Sequence, residues 1–246
     1  MFNLIAKLIF IWKKPKIIIV IGNNNSAAIQ AVFKVINQNC RMNPIPWIHF
    51  LRSFGSTRLK IKKIKEKIPG ILDILKNDVL ILDAGLKINL YQKLVEKSRS
   101  LILIIVNESI IDFNNKNFSE KNQQIQKLKE LVKALNSSCY LIFNYDIEEI
   151  REIKKQFNVL TLSFGFKKGA NFQAIAFNAN SAENKNISHK TNPKEINFKL
   201  IYKGNVVPVW LKNLSKKQDI YNALPAAAVG TIMNINLVDI SQRLSS

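Results

Sequence analysis

The stretch Lys16-Ile17-Ile18-Ile19-Val20-Ile21-Gly22-Asn23-Asn24-Asn25-Ser26-Ala27-Ala28-Ile29-Gln30-Ala31-Val32-Phe33-Lys34-Val35-Ile36 decides the architecture. Ile17 to Ile21 is an unbroken β-branched run closed by Gly22, the pattern of a strand buried on both faces. Ser26 to Ile36 then reads as a helix, with Ala27, Ala28, Ala31, Val32, Val35 and Ile36 on one apolar side. Strand, glycine, short polar loop and helix in that order form the context of a phosphate-binding loop.

Outward from this unit the same alternation recurs. Buried strands are predicted at Asp78–Leu82, Leu101–Val106, Tyr140–Phe143 and Val159–Leu162, with helices at Leu90–Lys97, Ile125–Leu135 and Ile147–Gln156. Strands alternating with helices predict a mostly parallel sheet covered on both faces. After Gly169 the texture changes. Asn171–Phe177, Asn197–Tyr202 and Val206–Leu211 read as a small antiparallel segment, the last two joined by a hairpin turn at Lys203-Gly204-Asn205. Asn178 to Lys194 is polar and predicts a long loop. Two helices, Asp219–Met233 and Leu237–Leu244, close the chain.

With 246 residues, 47% of them apolar, the chain can bury one large core and lacks the composition of a disordered segment. Cys40 and Cys139 lie too far apart for a thiolate metal motif, and His49 and His189 read as ordinary core or surface histidines. The 37 Lys and Arg against 17 Asp and Glu give a net charge of +20, and no acidic residue precedes Glu66. Twelve basic residues do, including Arg58, Lys60, Lys62, Lys63 and Lys65. Such an excess attracts polyanions. The heavy use of Ile, Asn and Lys throughout points instead to genome bias, and the absence of an aromatic-rich basic motif argues against a nucleic-acid partner.

Residues 1–13 form a separate apolar and basic helix in this reading, followed by one domain over 14–246. Roughly a dozen apolar residues cannot span a bilayer, which takes about twenty. The segment suits first packing on the protein's own core, with a peripheral membrane contact through residues 1–16, lysines toward lipid phosphates, as the alternative.

A working phosphate loop uses glycines to present backbone N–H groups, a lysine to neutralise the β/γ charge and a hydroxyl to hold Mg²⁺. Gly22-Asn23-Asn24-Asn25-Ser26-Ala27-Ala28 has a single glycine, no lysine and one hydroxyl, that of Ser26. Three further segments add context. They are Phe143-Asn144-Tyr145-Asp146, then Phe164-Gly165-Phe166 with Gly169-Ala170-Asn171, and then the run from Phe198 through the hairpin to Lys217-Gln218-Asp219 and the Ala-rich helix ending at Gly230. With Lys14-Pro15-Lys16 before the loop and Val79-Leu80-Ile81-Leu82-Asp83-Ala84-Gly85, they occur in the order found in Mur ligases. Residues 14–244 resemble the central domain of that family, most nearly its D-alanyl-D-alanine-adding members.

The resemblance implies an α/β domain with a phosphate-loop-like nucleotide site, ATP and Mg²⁺ as cofactors, and a role in peptidoglycan-precursor synthesis in the cytoplasm, at or near the inner membrane face. In that family ATP converts a carboxylate to an acyl phosphate, which an amine then displaces. Carried over residue by residue, the nucleotide positions are Gly22, Asn23, Asn24, Asn25, Ser26, Ala27, Asn144 and Asp146, and the metal position is Asp83. Ser26 stands at the phosphate lysine, Asn25 at the loop's second glycine, and Ala27 and Ala28 at the Mg²⁺ hydroxyl and its neighbour. Ile110 falls at the metal histidine, Leu128 at the carbamylated lysine between Lys127 and Lys129, and Gln218-Asp219 at the His-Asn pair. No residue stands out as catalytic. Losing one preorganised transition-state donor costs about 2.7–4 kcal/mol, and here several are replaced together.

The family also carries flanking domains, whereas thirteen residues precede Lys14 and two follow Leu244. The expectation is a stand-alone, catalytically inactive central domain with a binding or scaffolding role, partnered by other Mur ligases or envelope-precursor proteins. Two readings stay open beside it: a divergent acid–amino acid ligase completed by another chain, and a basic protein of anionic or membrane surfaces.

Overall fold

The computed structural model describes residues 16–22, 25–36, 79–85, 100–106, 118–180, 195–214 and 216–246. Its strands are β1 (Lys16–Ile21), β2 (Val79–Gly85), β3 (Leu101–Ile105), β4 (Tyr140–Asn144), β5 (Leu160–Gly165), β6 (Phe172–Asn180), β7 (Glu195–Tyr202) and β8 (Asn205–Lys212). The helices are α1 (Ser26–Ile36), α2 (Phe118–Lys133), α3 (Glu148–Lys155), α4 (Lys217–Ile232) and α5 (Leu237–Ser245).

All eight strands form one sheet in the order β2-β1-β3-β4-β5-β6-β7-β8. β2 through β6 run parallel, and β7 and β8 turn back antiparallel. The β-branched run of β1 sits between β2 and β3, which is why both of its faces are apolar. Ile18 and Val20 pack toward α1, α4 and α5, whereas Ile17, Ile19 and Ile21 pack against α2 and α3 through Leu128, Leu131, Ile150 and Ile153. The two-residue period of a strand thus divides one run between two cores.

α1 falls on its expected bounds. α2 begins at Phe118, seven residues before the expected Ile125, because its first turns carry Ser-Glu-Lys-Asn-Gln-Gln and give no apolar period to detect. The expected antiparallel segment is not separate. β6 pairs parallel to β5 through Phe164↔Phe172 and Gly165↔Gln173 before pairing antiparallel to β7, so the sheet is continuous. β6 also runs to Asn180, into the stretch expected as loop. The expected helices at 1–13 and 90–97 lie outside the described residues, as do Cys40, His49, Ile110, His189 and the 58–65 basic cluster.

α4 is buried nearly all round, with Ala226, Ala227, Ala228 and Gly230 packed against neighbouring elements. Small residues let its backbone approach α1 and α5 closely. A Cβ on Gly230 would stand 2.7 Å from Val35 Cγ1 and 2.8 Å from Ile240 Cδ1.

The open edge of the sheet, β8, is capped by α5. Trp210 donates its backbone N–H to Ser245 Oγ at 3.1 Å, and the Ser241 hydroxyl donates to the carbonyl of Pro208, a residue with no N–H of its own. Two of the edge groups that could pair with another strand are therefore occupied.

Candidate functional site

Strand order places the candidate site. The chain leaves β1, adds β2 on one side, and then returns to add β3 on the other. At such a reversal an α/β sheet opens a crevice beyond the carboxyl ends of its strands. Gly22, with φ 152°, ends β1 at this point, and α1 begins at Ser26.

Asp83 reaches the crevice by strand periodicity. Val79, Ile81 and Asp83 alternate onto the face under α1, and Asp83 is the register partner of Val20. One residue later the register shifts, so that Ile21 pairs with Gly85 and Ala84 is extra. Bulges of this kind re-aim side chains at strand ends.

Asn25, only 3% exposed, meets that carboxylate. Its Nδ2 donates to Asp83 Oδ1 at 2.9 Å and to the Val20 carbonyl at 3.3 Å. Two acceptors around one nitrogen fix the orientation of the amide. Its Oδ1 is consequently buried with no hydrogen-bond partner. An unpaired buried carbonyl costs about 1–3 kcal/mol, a cost offset by the charge-assisted bond to Asp83, worth about 1.5–3 kcal/mol. The Asn25 carbonyl accepts from Ile29 N at 2.9 Å and opens α1.

These residues do not fit a Mg²⁺ site. The Asp83 oxygen facing the loop is taken by an N–H donor, Ala27 offers no oxygen, and no group of three His, Cys, Asp or Glu side chains able to hold a metal occurs among the described residues. Lys34 is no substitute for the missing phosphate lysine, since eight helical residues place it about 12 Å along α1 from Ser26. Lys16 lies at the far end of β1, with its ammonium 3.7 Å from Met233 Sδ. Asn23 and Asn24 lie outside the described residues.

Asn144 and Asp146 sit at the end of β4, and both are engaged within the protein. Buried Asn144 accepts the Asp146 N–H at 2.9 Å, a local turn. The Asp146 carboxylate accepts from Phe166 N at 2.8 Å, Lys167 N at 2.9 Å and the Tyr221 hydroxyl at 2.7 Å. Lys167 Nζ adds a bond to the Asp146 carbonyl at 3.1 Å. One aspartate thereby ties the ends of β4 and β5 to α4. Gly165 is required beside it, because a Cβ there would stand 2.6 Å from Asp146 Oδ1. Neither residue caps α3, whose N-cap is Ile147 with no side-chain bond.

Asp219, at the position of the family's asparagine, accepts the Lys216 N–H at 2.9 Å and closes the start of α4. Leu128 is fully buried against the sheet and faces away from the crevice. No sequence motif marks the aromatic group beside Asp146. There Phe166 meets Tyr221 edge-on at 4.9 Å and Phe177 at 5.6 Å, with Lys217 Nζ 4.5 Å above the Phe166 ring. Its members come from the residue after β5, from β6 and from α4, and no linear motif joins them.

No protein-family model and no curated protein matches the sequence. Solved structures do share its fold. MurF from Acinetobacter baumannii superposes with a TM-score of 0.68 at 14% identity, over 100% of this chain and 49% of that one. The MurF ligase from Thermotoga maritima in complex with ADP gives 0.65 at 13% identity, over 99% and 52%. The Neisseria meningitides ligase joining UDP-N-acetylmuramate to L-alanyl-γ-D-glutamyl-meso-diaminopimelate gives 0.60 at 11% identity, over 99% and 69%. The chain spans about half the length of the two MurF proteins, and its fold is that of the Mur ligases.

Proposed function

We propose that this chain is a Mur-ligase-type domain that no longer ligates and that acts by binding, as a scaffold for proteins handling envelope precursors on the cytoplasmic side. In a working ligase of this fold, ATP supplies the phosphoryl group and Mg²⁺ screens the developing charge. The observation that carries the reading is the bond between Asn25 and Asp83, which gives the Asp83 carboxylate in the β1–β2 crevice a protein partner in place of a cation. The engagement of Asp146 by β5 and α4 supports it, since a carboxylate accepting three bonds is holding the fold.

The test is turnover. Purified chain incubated with Mg-ATP, a muramyl-peptide acid and D-alanyl-D-alanine is expected to release no phosphate above the blank. Phosphate release that disappears in Asp83→Ala would overturn the reading and establish an active ligase.

A further inference from the structure

The end of β1 carries an arrangement that neither a phosphate loop nor a plain turn requires. A turn asparagine is ordinarily exposed, yet Asn25 is buried and reaches across to the neighbouring strand. A phosphate loop needs a glycine there, because its backbone amides face the ligand. Here a side-chain amide fills the space between the Val20 carbonyl and the Asp83 carboxylate.

We infer that Asn25 is a built-in substitute for a cation, whose amide N–H holds Asp83 and makes this end of the sheet independent of divalent metal. The chemistry is one of exclusion. Mg²⁺ binds hard oxygens at about 2.0–2.1 Å and holds its waters firmly. A donor 2.9 Å from Asp83 Oδ1 occupies the approach to that oxygen and points a partial positive charge where the cation would stand. The amide cannot simply rotate to assist a metal, since rotation would turn Oδ1 toward two other oxygens and break both bonds. Its buried, unpartnered Oδ1 is the counterpart of this choice: Nδ2 is held on the carboxylate even though the carbonyl gains nothing.

The inference takes from the proposed function only the placing of Asp83 in the crevice, and it is tested by metal binding without ATP. A ligating protein and a cation-independent Asp83 are therefore distinguishable outcomes. The probe is Mn²⁺, followed by electron paramagnetic resonance on the full chain. The wild type is expected to show no saturable binding that Asp83→Asn changes. Asn25→Gly removes the donor, and Asn25→Asp replaces it with an isosteric oxygen. Each is expected to bind Mn²⁺ at least about 10-fold more tightly than the wild type, as added ligand charge and an unblocked carboxylate require. Adding Asp83→Asn to either should abolish the gain. Asn25→Asp preserves shape and covers the case in which the glycine variant does not fold; a rise in its melting temperature with Mn²⁺ gives a second readout. Asp83-dependent Mn²⁺ binding by the wild type would overturn the inference. So would folded Asn25→Asp that binds Mn²⁺ no better than the wild type.

Discussion

Asp146 distinguishes a nucleotide-handling residue from a structural one, and its replacement by alanine has a magnitude that can be worked out beforehand. The carboxylate accepts from Phe166 N, Lys167 N and Tyr221 Oη at 2.7–2.9 Å. Hydrogen bonds to charged groups contribute about 1.5–3 kcal/mol each. Lys167 is exposed and regains water, so the loss from Asp146→Ala is set at about 3 kcal/mol. For a chain of this size that lowers the melting temperature by about 6–12 °C. Tyr221→Phe removes one of the three bonds and should cost about 1.5 kcal/mol, the lower end of that range. Gly165→Ala drives a Cβ to 2.6 Å from Oδ1, an overpacking cost of about 1–3 kcal/mol. In the Asp146→Ala background the obstructing carboxylate is gone, so the two changes should couple by about 1 kcal/mol or more. Urea unfolding of the four single and double variants measures every term. An Asp146→Ala variant within about 0.5 kcal/mol of the wild type, the range of an ordinary surface change, would refute the clamp, as would strict additivity with Gly165→Ala.

Two further predictions concern α4 and α5. Gly230→Ala gains about 1 kcal/mol of helix propensity but sets a Cβ 2.7 Å from the β-branched Val35 and 2.8 Å from Ile240. The steric term wins, and thermal unfolding should show a net loss of about 1 kcal/mol. Removing both edge caps in Ser241→Ala/Ser245→Ala should cost about 1–2 kcal/mol and uncover Pro208 and Trp210 on β8. Light scattering at rising concentration should then detect self-association that the wild type does not show.

Much of this fold was legible because its strands are buried. Runs such as Ile17–Ile21 and Leu101–Val106 need no partner to be recognised, and α1 announces itself by an apolar side that begins at the loop. What stayed hidden depends on pairing. Nothing local says that Phe172 lies beside Phe164, so the antiparallel strands read as an appendage until the register joins them to the sheet. The same holds for the site. The types and order of Asn25, Asp83, Asn144 and Asp146 were visible, but their partners were not. Tyr221 lies 75 residues from Asp146, and Asp83 lies 58 from Asn25. Asn144 and Asp146 directly precede α3 yet do not cap it, because Asp146 turns its carboxylate toward β5, leaving Ile147 as an N-cap without a side-chain bond.

The rim of the sheet therefore keeps polar residues where a ligand site would have them and directs them inward. A crevice built for charged ligands leaves donors and acceptors unsatisfied until the ligand arrives, at a cost in stability. Here Asp83 meets Asn25, Asn144 meets the Asp146 backbone, Asp146 meets three donors, and Asp219 meets the start of α4. Each bond lowers the energy of the folded chain without any ligand and raises the work a ligand would have to do to displace it. The exception is Asn25 Oδ1, buried and unpaired. It sits on the residue that holds Asp83, so the one buried unsatisfied side-chain group among the described residues is a consequence of internal closure. The same logic relocates the +20 charge. Among the described lysines, Lys16 and Lys34 lie at the far ends of β1 and α1, so neither serves the crevice. A net charge of +20 acts at long range through the field of the whole molecule, apart from the short-range bonds that close the crevice.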